Sequence, residues 1–417
     1  MALFCLMLFA VSFPAGAATT IEFIYLAGAD ATEEAYRALT EAFEAANPDI
    51  KVERIRVISG YADRLVSLMA SGTVPDVIAV DVNDIMAYGN EQFLYDLTPF
   101  VEKTPGFEFE YLARPLIDVY TVDGKLYSLP VWANPSAYVY NEDLINQAGL
   151  VSPGALYASD NWTWAEFRDM ARKLTQKDAD GRIVQLGASL HLPRTWIASN
   201  GGREFDDVKR PTAVFYDAPE ALEALQFIHA MIWQDGSMLP FNRVAAQLGA
   251  DDVVGFAQGR VGFSSRWLAS LPAFAEGGAT IGMVPYPKGP AENGRYASDL
   301  GPFGLSITKN AQNVDAAWRF ISFLAGPEGA EIQSVLPGRT PPRPVTLEWL
   351  YGMVENPEVY GDLLVYGTSR VISRNRPDIQ RIIDTELAPV WDNLTPVENA
   401  VDEISRRIRS FLEENPQ

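Results

Sequence analysis

From Thr20 to Val80 the hydrophobic pattern switches repeatedly between the strand period and the helix period, and no other feature restricts the fold as tightly. Thr20–Leu26 alternates or runs apolar and stops at Gly28, which reads as a strand. Asp30-Ala31-Thr32-Glu33 then has capping-box spacing, in which each side chain satisfies an otherwise unpaired NH at a helix start. Tyr36, Leu39, Phe43 and Ala46 follow at helical spacing until Asn47-Pro48 stops them. Ile50–Val57 alternates as a second strand. Leu65, Leu68 and Met69 mark a second helix ending at Gly72, before the buried-strand run Val77–Val80. Strands and helices alternating at these lengths predict an α/β fold with a largely parallel sheet covered by helices.

The middle of the chain is richer in helix. Thr163-Trp164-Ala165-Glu166 repeats the capping-box spacing ahead of Phe167, Met170, Ala171 and Leu174. Further amphipathic patterns run over Ala221–Trp233 and Asn313–Leu324, the latter stopped by Gly326-Pro327. A last helix is predicted from Thr395-Pro396-Val397-Glu398, with Thr395 as cap and Pro396 in the first helical position. Trp164, Trp233 and Trp318 fit the apolar faces of these helices and are expected in the core. No internal repeat and no long Gly/Ser/Pro linker divides the chain, so two lobes would have to be joined by short strands crossing back and forth.

Residues 1–17 read as a secretory signal peptide. Leu3–Phe13 is nearly all apolar, Pro14 breaks it, and Ala15-Gly16-Ala17 supplies the small residues of a cleavage site, although the positive residues that usually precede such a core are missing. The single cysteine, Cys5, falls inside this segment, so a chain starting near Ala18 has no disulfide, no thiol chemistry and no Cys-based metal site. With 54 acids against 33 bases the net charge is −21, which argues against nucleic acid and anionic lipid as partners.

Segments spread over most of the chain resemble the extracellular solute-binding proteins of carbohydrate ABC importers. They are Phe43–Val52, Ala70-Ser71-Gly72-Thr73-Val74-Pro75-Asp76-Val77, Asp123–Asn141, Phe256–Phe263 and Asp315–Ile321. Each is weak alone; in family order and with family spacing they are specific together. The resemblance implies a two-lobed periplasmic-binding-protein-like fold (type II) with a multi-strand hinge, crossing near Val131–Pro135, Leu300–Leu305 and Pro342–Thr346. It implies an N-terminal lobe of 18–133 and 302–344, and a C-terminal lobe of 134–301 and 345–417.

Catalysis is unsupported by motif. His191 and His229 are far apart, no nucleophile elbow, phosphate loop or dinucleotide fingerprint is present, and no metal or cofactor is expected. His229 reads as structural, within an amphipathic helix. Binding is better signalled. Sugars present apolar ring faces and hydroxyl rims, which aromatic plates and planar polar groups match. Trp132 and Asn134 lie in the first crossing, Trp196 reads as a loop position between the helix-breaking Pro193 and a polar Ser199–Gly202 stretch, and Arg266 and Trp267 follow the Phe256–Phe263 motif. Asp81 and Asn83 follow the Val77–Val80 strand, where open α/β sheets place ligands, although a turn or cap explains them equally well. Tyr25 and Asp30 bracket the loop after the first strand, with a plain N-cap the simpler role for Asp30. The resemblance adds Gly301 and Phe303 at the second crossing, with Asp299 beside them, and Arg339 near the third, where a surface arginine is the simpler reading.

The expected protein is therefore a secreted receptor, periplasmic or at the cell surface. It would be a monomer that captures a mono- or oligosaccharide and delivers it to ABC permease subunits. Three rivals stay open: a receptor for an anionic or polyol ligand such as glycerol phosphate or uronate oligomers, a secreted carbohydrate-active enzyme, and a structural or sensory surface protein using the same fold without transport.

Overall fold

The strands that build the first half of the molecule are β1 (Thr19–Leu26), β2 (Ile50–Val57), β3 (Val77–Asp81) and β4 (Leu129–Trp132). The second half uses β5 (Ser136–Asn141), β6 (Ile183–Leu190), β7 (Met238–Pro240), β8 (Val261–Trp267) and β9 (Ile281–Val284), and the chain then returns with β10 (Phe303–Ile307). The computed structural model describes residues 18–416 apart from Ala29, Asn90, Glu91 and Pro344. The leader read at residues 1–17 lies outside them.

Two sheets result. The first has the order β2-β1-β3-β10-β4, parallel through β2, β1 and β3 and antiparallel across β10. The second has the order β7-β6-β8-β5-β9, with β7, β6 and β8 parallel and β5 antiparallel to both neighbours. The parallel strands are connected through helices, as parallel pairing requires. Helix α1 (Asp30–Ala46) covers the first sheet with Tyr36, Leu39 and Phe43, against Phe23 and Phe320. The second sheet is buried on both faces: Tyr138, Phe167, Trp196 and Phe263 on one side, Val139, Leu186, Val261 and Met283 on the other.

The chain passes between the sheets from β4 to β5, from the second sheet back to β10, and again between Leu336, packed on the first core, and Leu347, buried in the second. These passages hydrogen-bond to one another. Ala133 N donates to Thr340 O (2.8 Å), Asn134 N to Thr340 Oγ1 (3.0 Å), and Gly301 N to Asn134 O (3.2 Å). Asn134 takes the left-handed region at φ 42°, a conformation asparagine tolerates better than most residues.

Some local expectations needed correction. Thr163 caps its helix as read, accepting from Glu166 N, and Asn313, read as part of the next helix, proves to be its cap, accepting from Ala316 N. Asp30 is not a cap but the first helical residue, and its carboxylate meets Arg56 at 3.0 Å. Glu33 does not close a capping box, because Arg54 and the Tyr25 hydroxyl compete successfully for its carboxylate. The last helix (Val397–Glu414) starts one residue later than predicted, with Pro396 as N-cap. Trp164 and Trp318 are buried, but Trp233 is 47% exposed at the C-terminal end of its helix.

Candidate functional site

The pairing register assembles the first wall of the site. Phe303 stands opposite Asp81 on one side and opposite Trp132 on the other, so three residues distant in sequence form one row at the end of the first sheet. The strand shifts register between Phe303 and Gly304, where a side chain in place of Gly304 would strike Ser128 Oγ at 2.3 Å. This row borders two adjoining cavities that share Leu26 and Phe303. The larger, about 550 Å³, is lined by Ile58, Tyr61, Asp81, Asn83, Asp84 and Arg376. The smaller, about 200 Å³, lies at the crossings and is lined by Thr32, Trp132, Asn134, Gly338, Arg339 and Thr340.

Charges in the larger cavity are coupled. Asp81 accepts from Asn83 N at 2.8 Å, so the cap and the wall position coexist. Burial raises its carboxyl above the usual range, opposed by the Asn83 NH, Arg370 and Arg376. Burial and the neighbouring Asp81 charge push Asp84 up to about 6, again against Arg376.

The second wall is an arginine–carboxylate row. Asp299, fully buried, pairs directly with Arg194 and lies 3.7 Å from Arg370. Arg370 lies over the Trp267 ring, its guanidinium carbon 5.0 Å from the ring centre. Trp267 also packs against the second crossing, so that a Cβ on Gly301 would lie 3.1 Å from the indole. Behind this row Asp252 takes hydrogen bonds from Ser189, Ser264 and Arg266. A further cavity of about 300 Å³ opens there, lined by His191, Arg194, Glu204, Tyr216, Phe241 and Trp391. Burial, with Arg266 and Arg194 nearby, holds His191 down to about 4, so it is neutral at neutral pH.

The sequence-predicted site residues separate into groups. Asp81, Asn83, Trp132, Asn134, Phe303 and Arg339 line the adjoining cavities together, and Trp267 and Gly301 meet beside Arg370. Tyr25 is buried in the first core and bound to Glu33 and Arg54, and Asp30 is on the surface. Trp196 is fully buried among Tyr138, Trp164, Phe167 and Phe227, because the segment after Pro193 continues as a helix (Pro193–Ser199) rather than a loop. Arg266 is occupied by Asp252. Arg339 is not a surface residue: it is 8% exposed. Trp132 does not offer a free plate either, since Arg339 lies over its ring at 4.6 Å and Tyr36 packs against it at 4.7 Å. Asp84, Arg194, Arg370 and Arg376 were missed. Only Asp84, next to the singled-out Asn83, carried a usable signal; the arginines stand in segments without a motif.

Among the described residues no cluster of His, Cys, Asp and Glu could hold a metal ion, and no helix is long and apolar enough to cross a membrane.

The family model for bacterial extracellular solute-binding proteins matches residues 29–331. Among curated relatives, the arabinooligosaccharide-binding protein of Bacillus subtilis is 25% identical over 313 residues, covering 71% of this chain and 67% of the relative. An uncharacterised lipoprotein of Streptomyces antibioticus is 26% identical over 324 residues, covering 75% and 68%. Of solved structures, the cyclic α-maltosyl-1,6-maltose binding protein of Arthrobacter globiformis superposes with a TM-score of 0.79 at 20% identity, covering 96% of this chain and 100% of the other. The ABC substrate-binding protein of Listeria monocytogenes in complex with cycloalternan gives 0.77 at 23%, covering 95% and 99%. These likenesses establish a shared two-lobed α/β fold.

Proposed function

Because the chain belongs to the bacterial extracellular solute-binding protein family, we propose that it is the sugar receptor of an ABC importer and performs no chemistry on its ligand. The observation that carries this reading is the placement of the two walls. Asp81, Phe303 and Trp132 end one sheet, Trp267 and Asp299 belong to the other side, and the hydrogen-bonded crossings run between them. Apolar surface from Ile58, Tyr61 and Phe303 beside Asp81, Asn83 and Arg376 suits a pyranose with its ring face and hydroxyl rim. The names of the curated and solved relatives, which bind arabinooligosaccharides, cycloalternan and cyclic maltosyl-maltose, support a saccharide ligand.

The lobes of this reading are 18–133 with 302–344 and 134–301 with 345–417. Ligand contacts to both favour a closed arrangement, a population shift about the crossings. Asp81 and Asp84 lie on one short segment of the same wall, whereas glycoside cleavage needs carboxyl groups flanking the bond, so they serve as hydroxyl acceptors. The receptor acts as a monomer outside the cytoplasmic membrane and hands its cargo to permease subunits.

A thermal-shift screen against mono- and oligosaccharides, polyols, uronates and glycerol phosphates tests this. A concentration-dependent rise in Tm, with the ligand recovered intact by mass spectrometry, is expected, since a ligand bound only to the folded state stabilises it. A ligand recovered cleaved would refute the receptor reading, and no shift with any saccharide would refute the sugar assignment.

A further inference from the structure

The cleft holds arginines on both walls, and they are not equivalent. Arg194 and Arg370 share Asp299, Arg266 is bound to Asp252, and Arg376 faces Asp81 and Asp84. Arg339 has no such counterpart. Among the described residues no carboxylate lies within ion-pair distance of its guanidinium, and its side chain donates no hydrogen bond to protein. It is nevertheless 8% exposed and lines the small cavity at the crossings.

A buried cation is costly unless it is paired, and here only part of the cost is met inside the protein. The Trp132 ring supplies cation–π attraction to one face of the guanidinium, 4.6 Å from the ring centre. That contact leaves the in-plane N–H donors unused. Arg339 Nε is buried without a hydrogen-bond partner, and so is Nε1 of Trp132, which lines the same cavity. Asn134, Thr32 and Thr340 complete a polar rim. Donors in a plane, one uncompensated positive charge and a lining without acids make a receptor for a planar anion.

We infer that the small cavity binds a carboxylate on the sugar, and that Arg339, stacked on Trp132, makes the protein selective for acidic saccharides over neutral ones. This rests on the sugar-receptor reading and adds the class of sugar. A charge-assisted pair of hydrogen bonds replaces a neutral one when a uronate takes the place of the corresponding neutral sugar, which predicts a preference of about tenfold or more.

The test measures binding by calorimetry for glucuronate-, galacturonate- and mannuronate-ended oligosaccharides and their neutral counterparts, with inorganic phosphate and acetate as free-anion arms. At least one acidic sugar is expected to bind about tenfold more tightly than its neutral partner, with the difference shrinking as salt rises. Arg339→Gln is expected to abolish that difference, and Arg339→Lys to retain part of it. Should Arg339→Gln fail to fold, the salt dependence in the unmodified protein and the Arg339→Lys values decide. Neutral sugars binding as well as acidic ones would overturn the inference and leave the sugar receptor standing. Binding of the free anions with no added affinity from the sugar would overturn it too. Binding of no saccharide of either kind would overturn both.

Discussion

Replacing Asp84 by asparagine should stabilise the protein at neutral pH and leave it unchanged near pH 4. Asp84 is half-buried beside Asp81, and its carboxyl is pushed from an ordinary value of 3.8 up to about 6 by burial and by the Asp81 charge, with Arg376 opposing. A raised carboxyl pKa means that the folded state holds its proton longer than the unfolded chain does. Stability is then highest below the unfolded value, falls as pH rises through the window between about 4 and 6, and stays lower above it. A carboxyl moved from 3.8 to about 6 corresponds to at most ~3 kcal/mol, and partial exposure reduces this to about 1–2 kcal/mol. Urea unfolding of both proteins from pH 4 to pH 7, following the transition that reports on the first sheet, measures the effect. The difference between Asp84→Asn and the unmodified protein should grow from zero to that value across the window. A variant less stable at pH 7, or a difference constant with pH, would refute the assignment of the cost to a desolvated charge.

The tryptophans divide by role. Trp196→Ala removes a fully buried ring and should cost about 3–5 kcal/mol in urea unfolding with sugar affinity little altered in the folded fraction. Trp267→Ala, on the second wall, should instead lower affinity about tenfold or more by calorimetry. The reverse pattern would exchange core and site. Asp252→Asn leaves Arg266 buried without its counter-charge, and a loss of about 3–5 kcal/mol is expected by chemical denaturation; a loss below about 1 kcal/mol would show that Ser189 and Ser264, not the ion pair, hold this region.

The alternating N-terminal segments were legible because a half-buried strand and an amphipathic helix impose different periods on the same apolar residues, and β1, α1, β2 and β3 formed where those periods changed. The place of Asp81 and Asn83 on a cavity wall was legible for a topological reason, since both follow the carboxyl end of a strand in an open sheet. Trp196 misled because a proline followed by a tryptophan and a polar run fits a loop as well as the first turn of a buried helix. Arg339 was underrated because an arginine is usually exposed, and only the three-dimensional approach of Trp132 and Tyr36 reveals its burial. The row of Arg194, Asp299 and Arg370 joins residues from three separate segments, and ion-pair partners at such separations leave no periodic trace.

Hydrogen exchange with and without the best-binding saccharide tests most directly that the ligand sits between the two sheets. Protection is predicted in segments from both walls, around Asp81–Asp84, Gly301–Phe303 and Gly338–Thr340 on one hand and Trp267 and Arg370 on the other. Protection confined to one sheet, or to the separate surface groove of Gln226, His229, Asn393 and Glu398, would contradict it.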